Sequence, residues 1–211
     1  MRKIQKPGKP RRKTETEWNW RGNYRVWDAN RKIFLYPANW IEPELRLPGR
    51  FRAFLNDVAV FIRPRCRAKG FRILLADKNR TRRLLAAQTL ARDLEKDLYR
   101  IDLNGVVSDY IGETEKNLGR VFDSAKKNQV VLFFDEVDAL FGKRTDVNDS
   151  HDSRANIEIK YLLRRAGKNG GLTIFAAANR PDIDKALMRR FYFVVHIPQR
   201  RKLRRKESST C

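Results

Sequence analysis

Cysteine and histidine are scarce in this 211-residue chain, at two each. Cys66 and Cys211 lie far apart, and one is the last residue. Two such thiols make no disulfide framework and no metal site, and they suit a reducing compartment, so the expected location is the cytoplasm. His151 and His196 have no partner at ligand spacing. His151 reads as solvated, and His196 as a residue near a strand end. Acidic charge is short as well: 25 Asp and Glu stand against 47 Lys and Arg, for a net charge of +22. No apolar run approaches the roughly 20 residues of a membrane span. Met1 to Lys13 are polar and basic with no apolar stretch behind them, so no signal peptide is expected.

The positive charge is uneven. Residues 1–13 hold seven Lys/Arg and residues 200–206 hold six, with no acid in either. Such segments read as solvated tails able to hold a polyanion with salt-sensitive affinity. Between the tails, 41% hydrophobic composition is enough for one core. Three regions are expected: a basic, aromatic-containing and partly disordered segment over 1–70, a regular core over 71–198, and a basic tail over 199–211. Pro37, Pro43 and Pro48 cut residues 23–50 into short extended or turn pieces. Arginines and aromatics interleave there, which reads first as a small packed cluster and second as a base-stacking surface. Residues 51–70 read as basic and irregular, with one apolar run from Val58 to Ile62.

From Phe71 the pattern becomes regular. Strands are expected at Phe71–Leu75, Leu98–Leu103, Val130–Phe134, Leu172–Ala177 and Phe191–Ile197. Helices are expected at Arg82–Leu94, Glu113–Lys127, Ala155–Arg165 and Ile183–Arg190, from apolar positions at helical spacing such as Leu118, Val121, Phe122 and Ala125. Alternating strands and helices predict an α/β fold with a doubly wound, parallel, five-stranded sheet.

The strongest stretch is Val130-Val131-Leu132-Phe133-Phe134-Asp135-Glu136-Val137-Asp138. Five apolar residues without alternation suit a strand buried on both faces. Carboxylates that follow such a strand belong at its C-terminal edge, because burying them unpaired is costly. Ligands bind at that edge in open α/β sheets. One carboxylate there can hold Mg²⁺ and the next can polarise a water for attack on a phosphate. The bland alternative is a strand followed by a solvated acidic turn.

Four ordered stretches carry a family resemblance: Asp109 to Leu118, Leu132 to Arg144, Ala176 to Pro181 and Ala186 to Phe191. In this order and spacing they resemble the core of an AAA+ ATPase, a P-loop NTPase. Gly142 to Glu158 is similar to the AAA proteins found with extracellular contractile injection systems. Residues 23–47 resemble a short piece of toxin-complex A subunits. The resemblance implies ATP and Mg²⁺ as cofactors, and a ring of this chain with itself or with related subunits, acting on a polypeptide. It implies that Asp135 holds the metal and that Glu136 orients the attacking water. Asn179 is then the sensor that contacts the γ-phosphate or the water, and Arg189 and Arg190 lie in the arginine-finger region, with surface charge as their alternative. Tyr110, Ile111 and Gly112 match the loop that grips a threaded chain; a staple before the next helix is the alternative there.

One departure weighs against this. The family's phosphate loop reads Gly-x-x-x-x-Gly-Lys-Ser/Thr. Between Ile73-Leu74-Leu75 and Leu84-Leu85, this chain has Ala76-Asp77-Lys78-Asn79-Arg80-Thr81-Arg82-Arg83 and no glycine. The phosphate-binding positions thus fall on Thr81, Arg82 and Arg83. Glycines let a backbone wrap phosphates with its N–H groups inward, and side chains crowd that nest. Arg is a planar fork rather than a compact ammonium, and Arg83 offers no hydroxyl to Mg²⁺. The helical lid that the family carries after the fifth strand is not expected in the basic residues Gln199 to Cys211, which leaves it to another chain or to a truncation. Three functions follow: a protein-remodelling ATPase with impaired nucleotide binding, a pseudo-ATPase or truncated subunit acting by protein contact, and a basic nucleic-acid-binding protein.

Overall fold

The computed structural model describes residues 19–21, 24–28, 33–38, 47–65, 70–103, 112–138, 150–178 and 188–198. Its strands are β1 (Asn19–Arg21), β2 (Tyr24–Asp28), β3 (Ile33–Tyr36), β4 (Gly70–Ala76), β5 (Leu98–Asp102), β6 (Val131–Asp135), β7 (Gly171–Ala177) and β8 (Phe193–His196). Its helices are α1 (Gly49–Ile62), α2 (Arg80–Asp93), α3 (Glu113–Asn128) and α4 (Ser150–Lys168).

The sheet order is β1-β2-β3-β5-β6-β7-β4-β8. The strands from β4 to β8 are mutually parallel, as the alternation of strands and helices predicts. To them the chain adds three strands that the sequence reading does not contain. β3 pairs antiparallel with β5, Ile33 opposite Ile101 and Tyr36 opposite Leu98, and β2 and β1 follow outward.

Side-chain alternation along the central strands divides the core in two. Leu132, Phe134 and Phe175 meet Leu118, Phe122, Leu162 and Leu163 of α3 and α4. Val131, Phe133 and Ile174 meet Leu55, Ile62, Ala87 and Leu90 of α1 and α2 on the opposite face. β6 is buried at every position, as expected for a strand covered on both sides.

α1 is a correction to the sequence reading, which has residues 51–70 as irregular. Its buried residues Phe51, Leu55, Val58, Ala59 and Ile62 fall on one helical stripe. Arg52, Asn56 and Asp57 between them are exposed and dilute the apolar signal. α3 follows Gly112, whose φ is 81°, and has Glu113 and Glu115 in its first turn and Lys126 and Lys127 in its last. Both sets complement the helix dipole. At Gly70 an added Cβ would stand 2.0 Å from the Ala166 carbonyl oxygen, so β4 and α4 approach more closely there than any side chain permits. The expected helix at Ile183–Arg190 lies outside the described residues except for its last three.

Candidate functional site

Four strand ends meet at one edge of the sheet: Ala76 of β4, Asp102 of β5, Asp135 of β6 and Ala177 of β7. Strand pairing sets Asp102 beside Asp135, and Ala76 beside Ala177. The turn after β4 then leads into α2 past these ends. The Asp77 N–H donates to the Ala177 carbonyl at 3.0 Å. The Asn79 N–H donates to Asp77 Oδ1 at 2.9 Å. Asn79 caps α2 by accepting from the Arg82 N–H at 3.1 Å, which uses one of the helix's free donors. The Arg83 N–H donates to the Asn79 carbonyl at 3.2 Å. No residue from Ala76 to Arg83 has a positive φ.

The side chains of this turn converge on Asp135, which has no solvent exposure. Its Oδ1 accepts from Arg83 Nη2 at 3.0 Å and from the Glu136 N–H at 3.1 Å. Its Oδ2 accepts from Arg80 Nε at 2.8 Å and from Arg100 Nη2 at 2.9 Å. A carboxylate has about four acceptor positions, and all are taken. Arg83 is itself only 2% exposed, and its Nη1 donates to the Asp77 carbonyl at 2.8 Å. Arg80 also reaches Asp102 Oδ2 at 3.5 Å. Burial alone would push the Asp135 carboxyl up. The hydrogen bond from Arg80 and the charges of Arg100 and Arg83 outweigh it and hold the group below the ordinary carboxylate range. Conversely, burial lowers the Arg80 guanidinium, and its hydrogen bond to Asp135 together with the charges of Asp135, Glu136 and Asp102 more than restores it.

The other predicted positions are distributed as follows. Glu136 adopts φ 59° and remains 38% exposed at the side chain, 3.6 Å from Arg80 and 3.7 Å from Arg83. Thr81 is exposed. Arg82 reaches Asp77 Oδ2 at 3.1 Å and donates to the Ile197 carbonyl at 3.1 Å and to the Pro198 carbonyl. Arg189 and Arg190 are exposed in the turn before β8, where the Arg190 carbonyl accepts from Arg72 Nε at 2.6 Å. Gly112 is exposed, while Tyr110, Ile111 and Asn179 lie outside the described residues, as do Cys66, Cys211 and the His151 side chain. His196 is exposed at the end of β8. Asp138 Oδ2 accepts from the Ala178 N–H at 2.7 Å and so secures the end of β7 just before Asn179. Among the described residues, no three His, Cys, Asp or Glu group as metal ligands, and no helix is long and apolar enough to cross a membrane.

Sequence reasoning did not single out Arg100 and Asp102. A signal for both was present. They interrupt Leu98-Tyr99-Arg100-Ile101-Asp102, a strand otherwise buried, and charges inside such a strand need partners.

A parallel sheet with its second strand at one side, a turn and helix after the first, and paired carboxylates at the third strand's end define the P-loop NTPase fold. The family described as "ATPase family associated with various cellular activities (AAA)" matches residues 83–199, more than half of the chain, and the chain belongs to it. A second description, "ABC toxin N-terminal region", matches residues 1–54. ATPase family gene 2 protein of Schizosaccharomyces pombe is 35% identical over 119 residues, 56% of this chain and 15% of that protein. A proteasome-activating nucleotidase of Methanoregula boonei is 36% identical over 135 residues, 60% of this chain and 30% of that protein. The chain therefore spans under a third of these two relatives. The crystal structure of a FIGL-1 AAA domain in complex with ADP superposes with a TM-score of 0.59 at 23% identity, covering 77% of this chain and 57% of that one, which supports the fold.

Proposed function

We propose that this chain is an AAA-family protein-remodelling subunit with impaired nucleotide binding, which acts chiefly by protein contact. The observation that carries this reading is the turn from Ala76 to Arg83. A phosphate nest needs successive backbone N–H groups turned to one point, some at left-handed φ. Here the N–H groups of Asp77, Asn79, Arg82 and Arg83 are spent inside the protein, and no φ in the turn is positive. The residues present do not fit a Mg²⁺–nucleotide. Losing several charge-assisted phosphate contacts costs several kcal/mol of affinity, on the order of 1.5–3 each.

In this reading Arg189 and Arg190 face a neighbouring subunit, whether a second copy or a related AAA chain, and Tyr110-Ile111-Gly112 faces a polypeptide. Ring assembly is in keeping with the family. The toxin-like first 54 residues are in keeping with a role beside a toxin or contractile injection apparatus. The observation favouring an active ATPase instead is Glu136, half-exposed beside Asp135 at the strand end where an attacking water would stand.

Isothermal titration of the purified chain with ATP, with and without Mg²⁺, separates the two. We expect no binding at about 1 mM and no thermal shift, since a ligand that binds the native state stabilises it by mass action. Micromolar Mg²⁺-dependent binding, with turnover abolished by Glu136→Gln, would establish the active enzyme.

A further inference from the structure

The metal half of the site diverges independently of the phosphate half. A divalent cation at Asp135 needs a free carboxylate lone pair, either as a direct ligand, at about 2.0–2.1 Å for Mg²⁺, or to accept from a water on the ion. Both oxygens of Asp135 are instead saturated by Arg83, Arg80, Arg100 and the Glu136 N–H. Arg83 is fixed from two sides, to Asp135 by Nη2 and to the Asp77 carbonyl by Nη1, in the interior of the protein. Arg100 is held at the other side, its guanidinium 5.9 Å over the Phe34 ring. Phe34 belongs to β3, within the toxin-like segment, so the added strand helps to seat one of the three arginines.

We infer that the Arg83 guanidinium takes the place of a divalent cation at Asp135, with Arg80 and Arg100 completing the neutralisation. The site carries its own counter-charge and takes up neither Mg²⁺ nor Mn²⁺. This deepens the reading of the chain as impaired in nucleotide binding, and rests on it, but different atoms carry it. The carboxylate is buried and electrically satisfied before any ion arrives. An incoming dication would have to displace a guanidinium only 2% exposed, and would then meet the guanidiniums of Arg80 and Arg100 on the same carboxylate.

Mn²⁺ binding to the full chain without nucleotide, read from its electron paramagnetic resonance signal, tests this. Wild type is expected to bind no stoichiometric Mn²⁺ below about 1 mM, and Arg83→Lys, which keeps a cation, to behave alike. Arg83→Ser frees one acceptor position on Oδ1 and is expected to gain one bound ion at least about tenfold more tightly than wild type, a gain lost again in Arg83→Ser/Asp135→Asn. One equivalent bound by wild type below that concentration overturns the inference. So does a folded Arg83→Ser, verified by circular dichroism, that gains nothing. If Arg83→Ser does not fold, wild type and Arg83→Lys still decide, because stoichiometric binding by either contradicts an occupied carboxylate. Metal-free ATP binding by wild type would defeat the proposed function and leave this inference standing, whereas Mn²⁺ binding without nucleotide does the reverse.

Discussion

At Asp135 burial and pairing act in opposite directions, and pairing wins because three guanidiniums converge on one carboxylate. The register from sequence already set Arg83 at the position of the family's hydroxyl residue. It could not show that the side chain folds inward, because that depends on the Asp77 carbonyl and Asp135 both facing the first turn of α2. Tyr99 gives the opposite titration. Burial raises its phenol, while hydrogen bonds with Ser124 and Asn128 pull it partly back. The folded state therefore keeps the neutral form longer than the unfolded chain does. The associated stability is whole below the unfolded value of about 10 and is lost as pH rises from there through the folded value. Urea midpoints measured up to about pH 11 are expected to fall less steeply in Tyr99→Phe than in wild type, and equal slopes would refute this.

Among the elements, β4 to β8 and the helices α2 to α4 were legible in the sequence because the strands are local apolar runs and the helices carry apolar residues at helical spacing. α1 was not, since exposed Arg52, Asn56 and Asp57 stand between its buried positions, and Phe54, Val60 and Phe61 on its outer face blur the pattern. Its contribution is measurable. Leu55 is 1% exposed, so Leu55→Ala should lower unfolding free energy by about 2–5 kcal/mol in urea. Val60 is 62% exposed, and Val60→Ala should stay within about 0.5 kcal/mol of wild type. Equal effects from the two would mean that α1 does not pack as described.

Across the whole molecule, the net charge of +22 acts on partners rather than on the fold. Mixed-sequence DNA should bind through counterion release, weakening by about a thousandfold between about 50 and about 200 mM salt if six or more phosphates are neutralised. Removing residues 1–13 and 199–211 should flatten that slope in a filter-binding assay. Sequence-selective binding that resists salt would instead favour the nucleic-acid function. The same scale contains the joining of the toxin-like and AAA segments. β3 lengthens the parallel sheet at β5, and Leu35 and Tyr36 enter the two cores.

The sequence alone determined the parallel α/β sheet, the order of its elements and the strand end at which Asp135 and Glu136 stand. Those follow from continuous apolar runs and a 3.6-residue period, which are local. It also determined that the turn after β4 lacks glycine. Only the tertiary structure decided where the arginines of that turn go. Arg83 and Arg100 lie 52 and 35 positions from Asp135, and strand pairing together with the entry of α2 brings all three to one point. Whether a charged side chain ends in solvent or buried on a carboxylate depends on that convergence, because the cost of burial is offset only by partners supplied from other elements.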